Sequence, residues 1–176
     1  GRNMIWRYGD PLPDDPPLAP GELVNWSRAP KPYFQETTPA LGKVVDMAVN
    51  EDALFLVDSD GVVTTCDYSA VVYAPTSCQQ PATFEDARPG HPAQVTGFDN
   101  VSFARLNIDP LTRQSLYALD VNTPAVYRFS LHLFLDKIIE ADAVSSLPAQ
   151  RPTAFVVTTN QYLILAYGNR LFITKP

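Results

Sequence analysis

Histidine, cysteine and glycine are scarce: the 176 residues include two, two and eight of them. His91 and His132 have no partner at ligand spacing, and two histidines cannot by themselves make a structural zinc site. So few glycines leave no phosphate-cradling loop, and neither G-x-S-x-G nor H-E-x-x-H occurs. Positive charge is also sparse. Thirteen Lys and Arg stand against nineteen Asp and Glu, for a net charge of −6 and a pI near 4.7. With no basic stripe, a nucleic-acid backbone or an anionic lipid surface is a poor partner. No apolar run approaches the ~20 residues of a membrane helix. No leader pattern opens the chain, which starts at Gly1, so a mature form and a piece of something longer are both open.

What is abundant is β-forming sequence in a repeated arrangement. Ser115–Leu131, SLYALDVNTPAVYRFSL, holds an apolar run at Leu116–Leu119, turn chemistry at Asp120–Pro124, then alternation over Val126–Leu131. Tyr127, Phe129 and Leu131 are expected to point one way, Arg128 and Ser130 the other. A lone hairpin is marginal in water, so a larger sheet is implied. Ala53–Asp58 with Val62–Cys66 repeats the pattern, as does Tyr162–Tyr167 with Arg170–Thr174. Leu54, Leu116 and Leu163 align at spacings of 62 and 47 residues. A short apolar run precedes each hairpin, at Val44–Val49, Val101–Ile108 and Thr153–Thr158, and Phe134–Ala141 follows the second.

The expected unit is three or four antiparallel strands at a period near that of β-propeller blades. The fold class is therefore all-β: a partial or oligomer-completed β-propeller of about three blades, at 43–99, 100–150 and 151–176. Within 76–99, Pro81–Glu85 is a candidate outer strand of the first blade. Three blades cannot close a ring. More blades on a longer chain, association of copies, or stacking on another protein would each resolve this, and each predicts that the chain is not a free monomer.

Residues 1–42 hold eight of the seventeen prolines. Such density forbids helix and favours extended chain. Trp6, Tyr8, Trp26, Tyr33 and Phe34 lie in the same stretch, so it reads as an arm laid on a surface, either the domain's own or a partner's, with a tether as the competing reading. Tyr33–Thr37 is a candidate strand to complete the last blade. Cys66 ends a strand and Cys78 follows in the loop; a bridge closing a short loop and two separate buried thiols both fit. Few lysines and many Pro, Thr, Ser and Asn lean toward export. Asn25-Trp-Ser27 and Asn100-Val-Ser102 match the glycosylation pattern, which matters only in a secreted eukaryotic protein.

Asp58 and Asp60, in D-S-D-G, are weak candidates for a hard cation such as Ca²⁺. The competing reading is a turn, where Asp and Gly are the expected residues. Asp120 stands where Asp58 does in its own hairpin, which favours a repeated structural role in accepting turn amides. Arg105, Arg113, Arg128 and Arg170 suit either recognition at one end of the blades or ordinary exposed positions.

Ala118-Leu-Asp, Val126-Tyr-Arg-Phe and the preceding Asn107-Ile-Asp-Pro-Leu-Thr-Arg-Gln-Ser115 resemble an NHL-type or quinoprotein-like β-propeller blade. Val45–Gly61 and Leu163–Ile173 are similar but weaker. The resemblance covers 43–175 and looks like the C-terminal part of large bacterial propeller proteins held outside the membrane. It implies architecture, not activity, and the cofactor-stacking tryptophans of the quinoprotein enzymes are missing, so no cofactor is expected. The expected function is a non-enzymatic scaffold or accessory subunit, extracytoplasmic, docked through protein subunits on a membrane-associated assembly. A ligand-binding or lectin-like module is the alternative, with a Ca²⁺-dependent propeller enzyme behind it.

Overall fold

The computed structural model describes residues 6–7, 31–32, 42–50, 53–67, 78–86, 88–91, 93–110, 114–140, 148 and 150–175. Among these there is no helix, and the chain forms several separate sheets, none of them closed. In the arm, β1 (Trp6–Arg7) pairs antiparallel with β2 (Lys31–Pro32).

The first sheet runs in chain order: β3 (Val44–Val49), β4 (Ala53–Asp58), β5 (Val63–Asp67) and β6 (Cys78–Gln79). The second sheet contains β7 (Glu85–Asp86), β8 (Phe103–Ile108), β9 (Ser115–Asp120), β10 (Ala125–Ser130) and β11 (Phe134–Glu140), in the order β7-β11-β10-β9-β8. The third is β12 (Ala154–Val157), β13 (Leu163–Tyr167) and β14 (Arg170–Thr174). All pairings are antiparallel except that of β7 with β11.

Turn chemistry sets these registers. Between β13 and β14 the two-residue turn Gly168-Asn169 has Gly168 at φ +59°, the conformation a tight hairpin needs. Between β4 and β5, Gly61 sits at φ +81°. A methyl there would lie 2.6 Å from Ser102 Oγ and 3.0 Å from Ser102 Cα, so this turn rests directly on the loop entering β8.

The sheets stack face to face, with β3 beside β8 and β8 beside β12. The first and second sheets enclose the main core. Phe55, Val57 and Val63 come from one side, and Leu116, Ala118, Tyr127, Phe129 and Leu135 from the other. Phe84, Phe98, Phe103, Tyr127 and Phe129 form an aromatic cluster there. Ring centroids are 5.1 Å apart for Phe84–Phe129, 5.2 Å for Phe103–Tyr127 and 5.3 Å for Phe84–Phe98. Tilted and edge-on contacts at these distances add to the burial of area. The opposite face of the second sheet packs Tyr117, Leu119 and Val126 on Val157 and Leu163 of the third.

Two expectations change. The outer strand of the first sheet is Cys78–Gln79, paired with Thr65 and Cys66. Of Pro81–Glu85, Ala82 and Phe84 enter the core shared with the second sheet, and Glu85 begins β7 on that sheet's edge. The segment bridges the two sheets: the Ala82 N–H donates to the Val63 carbonyl of β5 at 2.7 Å, and the Glu85 N–H donates to the Leu133 carbonyl beside β11 at 3.0 Å. In β10, alternation implied one polar face. Both faces are buried, because the sheet lies between two others: Tyr127 and Phe129 are in one core and Val126 in the other. Arg128 and Ser130 keep part of that face polar, and Arg128 pairs with Asp136 at the surface.

Candidate functional site

The candidate chemistry begins at the turns. Asp58 closes β4, and its Oδ1 accepts the N–H groups of Asp60 and Val62, both at 3.0 Å. Asp120 closes β9 at the equivalent place and is fully buried. Its Oδ1 accepts from the N–H of Ser102 and of Asn122, each at 2.9 Å, and its Oδ2 accepts from the Thr123 N–H at 3.2 Å and from the Thr123 hydroxyl. Asp109, also buried, accepts the Ser115 N–H at 3.1 Å. These carboxylates do the work of turn acceptors, holding backbone donors that burial would otherwise leave unsatisfied. Asp60 is exposed. Among the described residues no three His, Cys, Asp or Glu side chains converge as a metal site.

Two side chains cross between sheets in the same sense. Asp46 on β3 accepts the Leu106 N–H of β8 at 2.9 Å. Asn107 on β8 accepts the Val157 N–H of β12 at 3.2 Å. One polar side chain thus ties β3 to β8, and another ties β8 to β12. Sequence reasoning missed both, because a single Asp or Asn on a strand carries no local signal of a contact 60 or 50 residues away.

At the outer edge of the second sheet, the Arg88 guanidinium donates to both oxygens of Asp86, at 2.8 and 2.7 Å, and the Arg88 N–H adds a third bond at 3.1 Å. His91 Nδ1 lies 3.5 Å from the same carboxylate. The Arg88 guanidinium beside Asp86 holds its carboxyl below the usual range, and Asp86 in turn raises Arg88. His132 occupies the turn into β11 and is exposed there. Burial pushes the phenols of Tyr117, Tyr127 and Tyr167 up. The Tyr167 hydroxyl and Arg128 Nε are buried without a hydrogen-bond partner among the described residues.

An open depression of about 660 Å³ lies on the loop between β7 and β8. Thr83, Gln94, Thr96 and Asp99 supply its polar groups, and Val95 and Phe98 its apolar ones.

Among the described residues, exposed apolar side chains lie in rows on two sheets. β12, β13 and β14 put Val156, Ile164 and Ile173 in one cross-strand row, and Ala154, Ala166 and Leu171 in the next. Leu171 is 69% exposed and Ile173 64%. On the first sheet, Val45, Met47 and Val49 face away from the second sheet, with Met47 56% and Val49 52% exposed. Exposed apolar groups arranged in rows on a sheet face mark an interaction surface more than scattered single residues do.

Of the arm's aromatics, Trp6 lies in β1, and Tyr8, Trp26, Tyr33 and Phe34 are outside the described residues, as is the strand candidate Tyr33–Thr37. Cys66 and Cys78 are joined by a disulfide across the edge of the first sheet, where they are directly paired. No helix among the described residues is long and apolar enough to cross a membrane. No protein-family model matches the chain, and no curated protein does.

Proposed function

We propose that this chain is a non-enzymatic β-propeller module whose three sheets are blades of an incomplete ring, acting as a scaffold or accessory subunit in a larger, membrane-associated assembly. The observation that carries the reading is the exposed apolar face of the third sheet, with Val156, Leu171 and Ile173 open on it. A sheet in a propeller is covered on both faces. The second sheet meets that condition, and on the first Leu54, Leu56 and Cys66 form a buried cluster on the face turned away from the second sheet, so the third sheet is the one with an unfilled position for further β-structure. The disulfide supports an extracytoplasmic setting, since such bonds persist in oxidising compartments. Turn and inter-sheet bonds occupy oxygens of Asp46, Asp58, Asp109 and Asp120. That favours a structural part for these carboxylates over a catalytic one. A native mass spectrum of the protein from its source tests the reading. A mass containing further polypeptide is the expected result; a lone chain of 19.4 kDa would overturn it.

The depression beside Phe98 favours a second reading, a ligand-binding or lectin-like module. Saturable binding of a sugar or peptide, weakened by Phe98→Ala, would support it. Flat calorimetric titrations across sugar and peptide panels would remove it.

A further inference from the structure

Among the described residues, the third sheet stops one strand short of the other two. Asp58, Asp120 and Tyr167 each close the second strand of their sheet. Counted across the pairs from there, Val63 and Thr65 on β5 correspond to Val126 and Arg128 on β10, and these to Leu171 and Ile173 on β14. In the first sheet this edge is taken: the Val63 carbonyl accepts the Ala82 N–H at 2.7 Å, and Thr65 pairs with Gln79. In the second, Val126 pairs with Ile139 and Arg128 with Lys137 of β11. On β14 the same positions pair with β13 alone among the described residues. Their backbone groups point outward. The Tyr162 carbonyl accepts the Thr158 N–H and the Ala166 carbonyl accepts the Thr153 N–H, both at 2.9 Å. Tyr162, Ile164 and Ala166 therefore turn their backbone groups to the β12 side. In an antiparallel ladder the residues opposite Ile164 and Ala166, which are Ile173 and Leu171, then turn their N–H and C=O groups to the far edge.

We propose that the outer edge of β14 is a docking site for an extended strand of a partner protein, which adds antiparallel to Leu171 and Ile173 as the fourth strand of this sheet. This rests on the scaffold reading above and names the chemistry of its partner. The backbone groups of an open edge provide affinity, and alternate side chains provide specificity. Leu171 and Ile173 are 69% and 64% exposed, and Ile173 stands in one row with Ile164 and Val156. The incoming strand therefore carries apolar residues at the two positions opposite them. Its charge follows from what borders the edge. Residues 150–176 contain Arg151, Arg170 and Lys175 and no Asp or Glu, in a chain whose net charge is −6. Arg170 and Lys175 bracket the open positions, and both are exposed. Asp or Glu on either side of the apolar residues complements them. The second sheet has this arrangement at one end, where Glu140 of the fourth strand stands opposite Ala125, the counterpart of Arg170. The same charges select against a second copy. Pairing β14 with β14 about a two-fold axis at Phe172 sets Arg170 of each copy beside Lys175 of the other, and like charges there repel.

The test is amide exchange, read by nuclear magnetic resonance, on the whole chain purified alone. The probe is a synthetic peptide of alternating Val and Thr with Glu at each end, acetylated and amidated. The Leu171 and Ile173 amides are expected to exchange fast in the free chain and at least about tenfold more slowly with saturating peptide. The Phe172 amide, on the residue paired with Leu165, should be slow in both. A peptide N-methylated along its pairing edge should protect neither residue. Ile173→Pro removes an N–H that faces outward, so it is expected to raise the peptide's Kd about tenfold or more with a melting curve near that of wild type. Arg170→Glu alters only an exposed side chain. It is expected to weaken the Glu-ended peptide and tighten a Lys-ended one, each about threefold. Slow Leu171 and Ile173 amides in the free chain would overturn the proposal, because a segment of this chain or a second copy would then hold the edge. Fast exchange at every peptide concentration, or equal binding of the N-methylated peptide, would overturn it as well. The scaffold reading fails separately. A chain that carries other subunits in its source, with these two amides still fast in the assembly, keeps that reading and removes strand addition. A chain that is alone in its source yet takes the peptide at β14 keeps the docking edge and removes the assembly.

Discussion

Replacing Asp120 tests how the hairpins are held. Four donors converge on its carboxylate: the N–H groups of Ser102, Asn122 and Thr123, and the Thr123 hydroxyl. The side chain is fully buried, so water cannot replace the acceptor without opening the turn. A hydrogen bond to a charged group is worth roughly 1.5–3 kcal/mol and an orphaned buried donor costs about 1–3 kcal/mol, but the terms overlap and the turn can relax. Asp120→Ala should therefore cost about 3–5 kcal/mol, below the simple sum of its bonds. At roughly 2–4 °C per kcal/mol for a chain of this size, the melting temperature falls by about 6–20 °C. Asp120→Asn keeps one oxygen, and its amide N–H groups point at donors, so about 2 kcal/mol is expected. Asp58→Ala removes an acceptor from only two amides, at Asp60 and Val62, and should cost less than Asp120→Ala. Urea unfolding followed by tryptophan and tyrosine fluorescence measures all three. A cost under about 1 kcal/mol for Asp120→Ala would refute the reasoning, because buried donors could then be satisfied without this side chain.

Further outcomes follow from the same geometry. Gly61→Ala places a methyl against Ser102 at a φ of +81°, and a loss of about 1–3 kcal/mol in thermal or urea unfolding is expected from the left-handed strain and the contact together. Reducing Cys66–Cys78, or replacing both by Ser, should cost about 3 kcal/mol, the loop-closure value for a bridge spanning few residues; identical melts with and without reductant would contradict this. Asp86 is depressed in the folded protein by Arg88, so its contribution is present above the unfolded carboxylate value of about 4 and is lost as pH falls through the lower folded value. Stability measured from pH 6 to pH 2 should lose part of its acid-side slope in Asp86→Asn; an unchanged profile would show that the Arg88 pairing does not couple to folding.

The strands were legible because their signal is local. Apolar alternation and turn residues placed β9 and β10 around Asp120, and the same pattern marked β4 with β5 and β13 with β14. The part played by Asp58 and Asp120 was legible for a similar reason: a carboxylate just before a turn reaches amides two to four residues on. The segment after Cys78 was not legible. Cys78–Gln79 joins the first sheet and Glu85–Asp86 the second, in pairings only two residues long, too short for any period to show. Phe84 and Phe98 carry no local mark of the aromatic cluster that captures them.

By itself, the sequence determined that the chain is β-structured, that its hairpins repeat, and that its net charge is −6. Backbone propensity, turn chemistry and charge act over a few residues or over the whole composition, and both are readable without a fold. Only the tertiary structure decided which sheet faces which. It set Asp46 and Asn107 as ties between sheets and buried both faces of the second sheet. It also left Ile173 and Leu171 open on one outer sheet and Met47 and Val49 on the other. Those outcomes depend on stacking between residues tens of positions apart, where apolar side chains are interchangeable in sequence and are told apart only by what packs against them.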